Sequence, residues 1–373
     1  MRSIFIPFLT LLTFNVLMAQ EHAHNHGRKI EFPDVPGYHT LKCDFHIHTV
    51  FSDGNVWPTI RVEEAVKDGL DAISLTEHIE YQPHKQDIPH PDRNRSYEIV
   101  KDLANVYDLM IIHGTEITRD MPPGHSNAIF IKDVNAIKVD DPVEAFREAK
   151  RQGAFIFWNH PNWIRQVPDG KAKLTDLHRQ LIREKLLDGI EVVNDITYSQ
   201  EALQIALDNQ LTVMGTSDIH GLVDWQFQIP QGGHRPITLV LTEERTPESL
   251  REGLEAHRTI AYFNDLLAGY QEPLEMLLKS CLVVGKATYE GASSVVEVQL
   301  SNEGDAPLIL QNKSPFSFHA HADLVTIPPH DSIKLEVKTG QQLRDFELTF
   351  AVLNAVYAPD KHPLLSWNVV VTP

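Results

Sequence analysis

Cysteine is scarce in this chain, with only Cys43 and Cys281 among 373 residues. So few, so far apart, cannot build a disulfide framework. Cys43 falls in an apolar run that reads as a buried strand, where a free core thiol is expected. Basic residues are also short, 33 Lys and Arg against 51 Asp and Glu, for a formal net charge of −18. A long nucleic-acid track needs Lys and Arg to neutralise phosphates, so that class of partner is excluded. A small phosphorylated ligand is not, because bound cations can reverse the local sign. Beyond Gln20 there is no long apolar run, no internal repeat and no low-complexity linker.

What is present suffices for a large core: 42% hydrophobic and 23% charged residues fit one large α/β domain or two domains. Met1 and Arg2 precede an apolar run from Ile4 to Met18 that ends in Ala19-Gln20. A positive start, a short apolar core and a small terminal residue read as a secretory signal peptide over residues 1–19. The run falls short of the roughly twenty apolar residues a membrane span needs, and no lipobox cysteine follows. The mature chain is therefore expected to begin near Gln20, periplasmic or secreted, without stable membrane insertion. Residues 20–38 read as a polar leader rich in histidine (His22, His24, His26), solvated rather than packed.

From Leu41 short apolar runs alternate with helical spacing. Strands are expected at 41–48, 71–75, 109–113, 127–131, 154–158, 189–193 and 211–215. Helices are expected at 59–68, 142–152, 181–187, 201–209 and 246–257. Strands alternating with helices indicate a parallel βα architecture, whose active sites gather at the C-terminal strand ends. Beyond Gly269 the pattern becomes period-two, at 294–300, 332–337 and 346–353, with turn residues between. That predicts a small antiparallel β-sandwich over 270–373.

The chemically loaded residues fall just after the apolar runs. The first strand ends in Asp44-Phe45-His46-Ile47-His48, with Ser52-Asp53-Gly54 behind it. Residues two apart share a strand face, so His46 and His48 can bind one metal together. Thr76-Glu77-His78 ends the next strand, and Gly114-Thr115-Glu116 the third. Gly124-His125-Ser126, Asn159-His160-Pro161 and Thr216-Ser217-Asp218-Ile219-His220 follow the same rule. His319-Ala320-His321 has no carboxylate partner at a strand end and is read as incidental.

This ordered set, from about Leu41 to Asp265, resembles the polymerase-and-histidinol-phosphatase (PHP) family of metal-dependent phosphoesterases. The resemblance implies a distorted (β/α)7 barrel over 39–269, followed by the sandwich. It implies two or three divalent ions. His46, His48 and Asp218 would hold the first, Glu116 would bridge to a second completed by His125 and His160, and Asp53, His78 and His220 would hold a third. Thr-Glu-His at 76–78 departs from the Thr-Asp-His of many members, with the ligand His78 kept. Mixed imidazole and carboxylate donors suit Zn, Mn or Fe. Three such cations against Asp53, Glu116 and Asp218 leave a formal charge of about +3, attractive to phosphate.

The function implied is hydrolysis of a small phosphate ester, mono- or diester, by a metal-bridged hydroxide. Asp218 or His220 is the candidate acid. Arg119 and Arg165 are the candidate substrate-binding residues, with Arg93 and Arg95 of the 81–96 loop as a third option. An amidohydrolase remains an alternative, because barrels bearing His-x-His serve several chemistries. A non-catalytic periplasmic metal-binding protein is the other alternative. The sandwich is left to shape substrate access or to support a homo-oligomer.

Overall fold

A computed structural model describes residues 29–372. The signal-peptide reading and the histidines of the leader lie outside the described residues. Residues 29–38, read as the end of a solvated leader, instead pack. Ile30 and Val35 are buried in the main core, and the Glu31 backbone N–H donates to Asp305 at 2.7 Å.

The α/β part carries eleven strands: β1 His39–Ile47, β2 Ala72–Leu75, β3 Met110–Ile117, β4 Ser126–Ile129, β5 Phe155–Trp158, β6 Gly189–Asn194, β7 Thr197–Tyr198, β8 Thr212–Thr216, β9 Ile237–Thr242, β10 Thr259–Phe263 and β11 Leu266–Gly269. With the short strand Ala355–Val356 they form one twelve-stranded sheet, in the order 355–356, β11, β10, β9, β1 to β7, with β8 beside β6. The sheet is mixed, which corrects the expectation of a parallel βα array. Pairing is parallel along β1-β2-β3 and β5-β6-β8, but antiparallel at β3-β4-β5 and β10-β9-β1. The physical reason at β3-β4 is length. Only residues 118–125 join the two strands, too few for the crossover a parallel pair requires.

The sheet curls into a half-barrel, and side chains close part of the gap. Thr238 Oγ1 contacts the Gly215 N–H and carbonyl at 3.0 and 2.8 Å. Thr259 Oγ1 donates to the Val213 carbonyl at 2.7 Å. This approach requires glycine at 215, since a Cβ there would meet the Ile237 carbonyl oxygen at 2.7 Å. At the far end of β1 the His48 N–H donates to the Ile219 carbonyl at 3.1 Å. That link draws the 216–220 segment over the histidines.

Local signals set most element ends. The helix Pro142–Gln152 has Pro at its start, Asp141 accepting from the Glu144 N–H, and Gly153 left-handed at its end, as propensity dictates. The helix expected at 181–187 lies instead at Asp176–Arg183, because Thr175 and His178 form a capping box. Along β1, Leu41, Cys43 and Phe45 are fully buried in one apolar cluster with Phe155, Phe157 and Met214. Each such side chain contributes about 1.5–3 kcal/mol of burial. Cys43 and Cys281 are both free and buried.

After the helix Gln271–Cys281 come two four-stranded antiparallel sheets. One holds Leu282–Tyr289, Val295–Asn302, Ser332–Lys338 and Ser317–Phe318, the other Leu324–Ile327, Leu308–Asn312, Asp345–Val352 and Leu364–Val370. Alternating burial, as in Val295–Asn302, is the mark of sheets packed on one face. Ala355–Val356 leaves the sandwich and pairs with β11. Among the described residues no helix is long and apolar enough to cross a membrane.

Candidate metal centre

The strand ends bring seven of the nine residues expected to ligate into compact donor groups, with Asp218 and His160 beside them. A register shift in β1 between Asp44 and Ile47 accompanies a close approach of His46 to His48 just past the strand, with their Nε2 atoms 3.0 Å apart. Glu116 Oε2, from β3, lies 3.0 Å from His46 Nε2 and 3.3 Å from His48 Nε2. Asp218 Oδ1 lies 3.1 and 3.2 Å from the same nitrogens. These four side chains converge on one point.

The other oxygen of Glu116 serves a second point. Its Oε1 is 2.5 Å from His125 Nδ1 and 3.2 Å from His78 Nδ1. A third group forms around Asp53 Oδ1, which lies 3.1 Å from His220 Nε2, 3.4 Å from His78 Nε2 and 3.8 Å from His48 Nδ1. His78 thus stands between the second and third groups. His160 approaches by its ring, 4.9 Å from that of His125, and belongs to none of the compact donor groups.

The donors fit divalent cations by their own bonding. Asp53 Oδ1, Glu116 Oε1, His125 Nδ1 and His160 Nδ1 are buried and make no well-directed hydrogen bond, although the first three crowd other donors of the cluster. Orphaned buried polar atoms are costly unless something compensates them. Ring tautomers point the same way. His46 Nδ1 donates to Glu191 at 2.7 Å and His220 Nδ1 to the Asp218 carbonyl at 2.7 Å. Both rings therefore turn an Nε2 lone pair into the cluster, as a metal-ligating histidine does.

The field asks for positive charge. Burial opposes charge on His78, yet Glu116 and Asp53 override it and raise its pKa to about 10. Burial likewise opposes charge on Asp53, but His220 and His78 hold it far below the usual carboxylate range. Two of these residues sit in left-handed backbone, His160 at φ 29° and Asp218 at φ 49°. Such strain in non-glycine residues concentrates at functional sites.

Three buried groups to which the sequence reading gave no role hold the cluster in place. Glu191, inside β6, accepts from His46 Nδ1 and Thr216 Oγ1 at 2.7 and 2.5 Å on one oxygen. Its other oxygen accepts from the His160 N–H and Asn194 Nδ2 at 2.6 and 2.8 Å. Arg61 donates to the carbonyls of His48 and His220, both at 2.9 Å. Glu77, noted only as a departure from the family motif, accepts from Thr49 Oγ1 and Ser52 Oγ. The one sequence signal was a lone Glu within the apolar strand Gly189-Ile190-Glu191-Val192-Val193. Glu191→Gln would turn an NH2 against two donors, and is expected to weaken metal affinity about 10–100-fold without loss of helix and sheet. Equilibrium metal titration beside circular dichroism checks this; unchanged affinity would remove Glu191 from the site.

A cleft of about 810 Å³ opens over the cluster, lined by Asp53, His78, His125, His160, Asp218 and His220 and by residues of the 162–170 and 194–197 segments. Arg165 lines it. Arg119 does not, since Glu80 holds its guanidinium at 2.9 Å and the Val139 carbonyl accepts from it. Arg93 and Arg95 do not line this cleft; they line a small pocket on the other side of His78, with Phe51 and His90. His319 and His321 are exposed.

A two-domain protein from Bacteroides vulgatus, containing a predicted PHP-like metal-dependent phosphoesterase, has a solved structure 42% identical to this chain. The likeness covers 91% of this chain and 98% of that one, at a TM-score of 0.85. This chain belongs to the PHP-like metal-dependent phosphoesterase family. An Ig-like domain family matches residues 282–368 of this PHP-like chain, the sandwich. An uncharacterised protein of Methanocaldococcus jannaschii is 34% identical over 85 residues, which is 22% of this chain and 36% of that relative. The chain thus spans little more than a third of the curated relative it matches.

Proposed function

We propose that this chain hydrolyses a small phosphate ester, mono- or diester, with two or three divalent ions held by His46, His48, Asp53, His78, Glu116, His125, His160, Asp218 and His220. One observation carries the reading: buried carboxylate and imidazole atoms that no hydrogen bond satisfies converge beneath an open cleft. Bound there, Zn, Mn or Fe would supply charge that binds the phosphoryl oxygens and lowers the pKa of water toward about 7.

The chain's own groups do the rest. Asp218 turns Oδ1 toward His46 and His48 and Oδ2 toward Asn194 Nδ2, 3.4 Å away. Burial opposes its charge, but His46 and His48 keep it ionised. Its Oδ2 is therefore placed to accept the attacking water's proton and return it to the leaving oxygen. His220 has Nδ1–H committed to a carbonyl, which suits it to ligation better than to acid catalysis. Arg165, at the cleft wall, is the substrate-binding cation. We place the mature protein in the periplasm or outside the cell, on the apparent export signal.

The test is hydrolysis of p-nitrophenyl phosphate and its bis-ester by protein reconstituted with Mn, Zn or Fe, beside Asp218→Ala. Metal-dependent turnover that drops at least about 100-fold in the variant is expected, the scale of losing one transition-state contact. No turnover on either ester with metal stoichiometrically bound would refute the phosphoesterase reading and favour an amidohydrolase.

A further inference from the structure

We propose that the ester's leaving alcohol is a neutral, polyhydroxylated ring, as in a sugar phosphate; this rests on the phosphoesterase reading above. The cleft, about 810 Å³, far exceeds what a phosphate group needs and falls within the roughly 300–1,000 Å³ of pockets that bury a whole small molecule. Two aromatic rings stand beside the ligand histidines. Tyr81 lies 5.8 Å from the ring of His78, and Trp163 lies 5.1 and 5.6 Å from the rings of His160 and His125. A phosphate seated on those histidines has its leaving group alongside these faces, which accept the C–H face of a ring.

Charge and polarity narrow the class. Among the described residues that line the cleft, Arg165 is the single lysine or arginine, and Asp195 is an acid beyond the expected ligands. The Arg165 guanidinium lies 5.6 Å over the Trp163 ring. A bisphosphate or an oligonucleotide would bring several negative charges to one arginine, where such ligands call for several cations. Thr197 Oγ1 and Gln226 Nε2 already donate to the Asn194 carbonyl and to Asp195. A plain aryl or alkyl alcohol would therefore cover Asn162 and the acceptor oxygens of Thr197 and Gln226, which also line the cleft, without pairing them. Hydroxyls both donate and accept, and match these side chains. One phosphate, an apolar ring face and a hydroxylated edge satisfy the whole lining.

The metal-loaded full chain is assayed on glucose 6-phosphate, glycerol 2-phosphate and fructose 1,6-bisphosphate, with p-nitrophenyl phosphate as the activity control. The expected kcat/KM for glucose 6-phosphate exceeds that for glycerol 2-phosphate by at least about 10-fold, the scale of a single pocket contact. Trp163→Ala is expected to bring that ratio toward one, chiefly through KM, and to abolish the fluorescence change that glucose 6-phosphate causes in the wild type. Tyr81→Ala, at a half-exposed position, gives the same ratio test should Trp163→Ala fail to fold. Hydrolysis of p-nitrophenyl phosphate with equal rates on the first two esters, or with preference for the bisphosphate, overturns the inference alone. Failure on every ester with metal bound overturns the phosphoesterase reading and this inference with it.

Discussion

Glu116→Gln is expected to abolish metal-dependent turnover and to lower the number of tightly held ions. Glu116 is fully buried, and its two oxygens face different donor groups. Oε2 faces His46 and His48, while Oε1 faces His125 and His78. Gln keeps the shape but replaces one of these oxygens with an NH2 that cannot ligate, and removes a negative charge from between two cation positions. Losing a group that merely orients a ligand costs about 10–100-fold in affinity. Losing a bridging ligand should cost more than about 100-fold at one position at least. Metal analysis after dialysis, with turnover on p-nitrophenyl phosphate, reads both effects. A variant that retains its full metal complement and its turnover would show that Glu116 does not bridge. Metal retained by the variant, beside a wild type that binds metal but shows no turnover, would fit the non-catalytic metal-binding alternative.

The candidate ligands were legible because most follow a rule that survives translation into sequence: they stand at or just past the end of an apolar strand, with His125 just before β4 and Asp53 in the loop after β1 as the departures. His46, Glu116, His160 and Asp218 come from elements far apart in the chain, yet each sits at the same end of its own strand. The groups behind them were not legible. Arg61 lies on the helix Pro58–Lys67 and reaches the His220 carbonyl, 159 positions away, and Glu191 reaches His46 across 145. No local pattern encodes such contacts. Arg119 shows the opposite failure. Its closeness to Glu116 in sequence suggested a phosphate clamp, but Glu80 captures it.

The fold divides in the same way. Pro142–Gln152 matched its expected bounds because its cap, proline and glycine are all local. Strand direction is not local. Phe155–Trp158 reads as a strand from its apolar run, but its antiparallel partner β4 depends on which edge the chain returns to. The strands β9, β10 and β11 were not expected at all, and they carry the antiparallel side of the sheet. The parallel βα array drawn from alternation alone was therefore too regular.

Arg235→Met is expected to destabilise the protein by about 3–5 kcal/mol, the cost of removing one partner from a buried ion pair. Arg235 is fully buried and joins two carboxylates, with Nη1 3.2 Å from Asp44 and Nη2 2.8 Å from Asp68. Burial works against the Arg235 charge, and Asp68 and Asp44 more than restore it. Methionine fills much of the volume but takes the Arg235 cation away from both buried carboxylates. The damage should also reach the metal centre. Asp44 accepts from the Ser217 N–H and Oγ at 3.1 and 2.5 Å, which fixes the segment that carries Asp218 and His220. Denaturant unfolding should show a lower midpoint, and metal affinity should fall even where the variant is fully folded. The companion Arg235→Met/Asp44→Asn/Asp68→Asn removes the stranded charges and should recover most of the stability, since a buried ionic network is often replaceable as a whole. If Arg235→Met alone unfolds at the wild-type midpoint, the network contributes nothing measurable to stability. If the triple variant recovers stability but not metal affinity, the role of Asp44 in holding Ser217 is separated from its role in the ion pair.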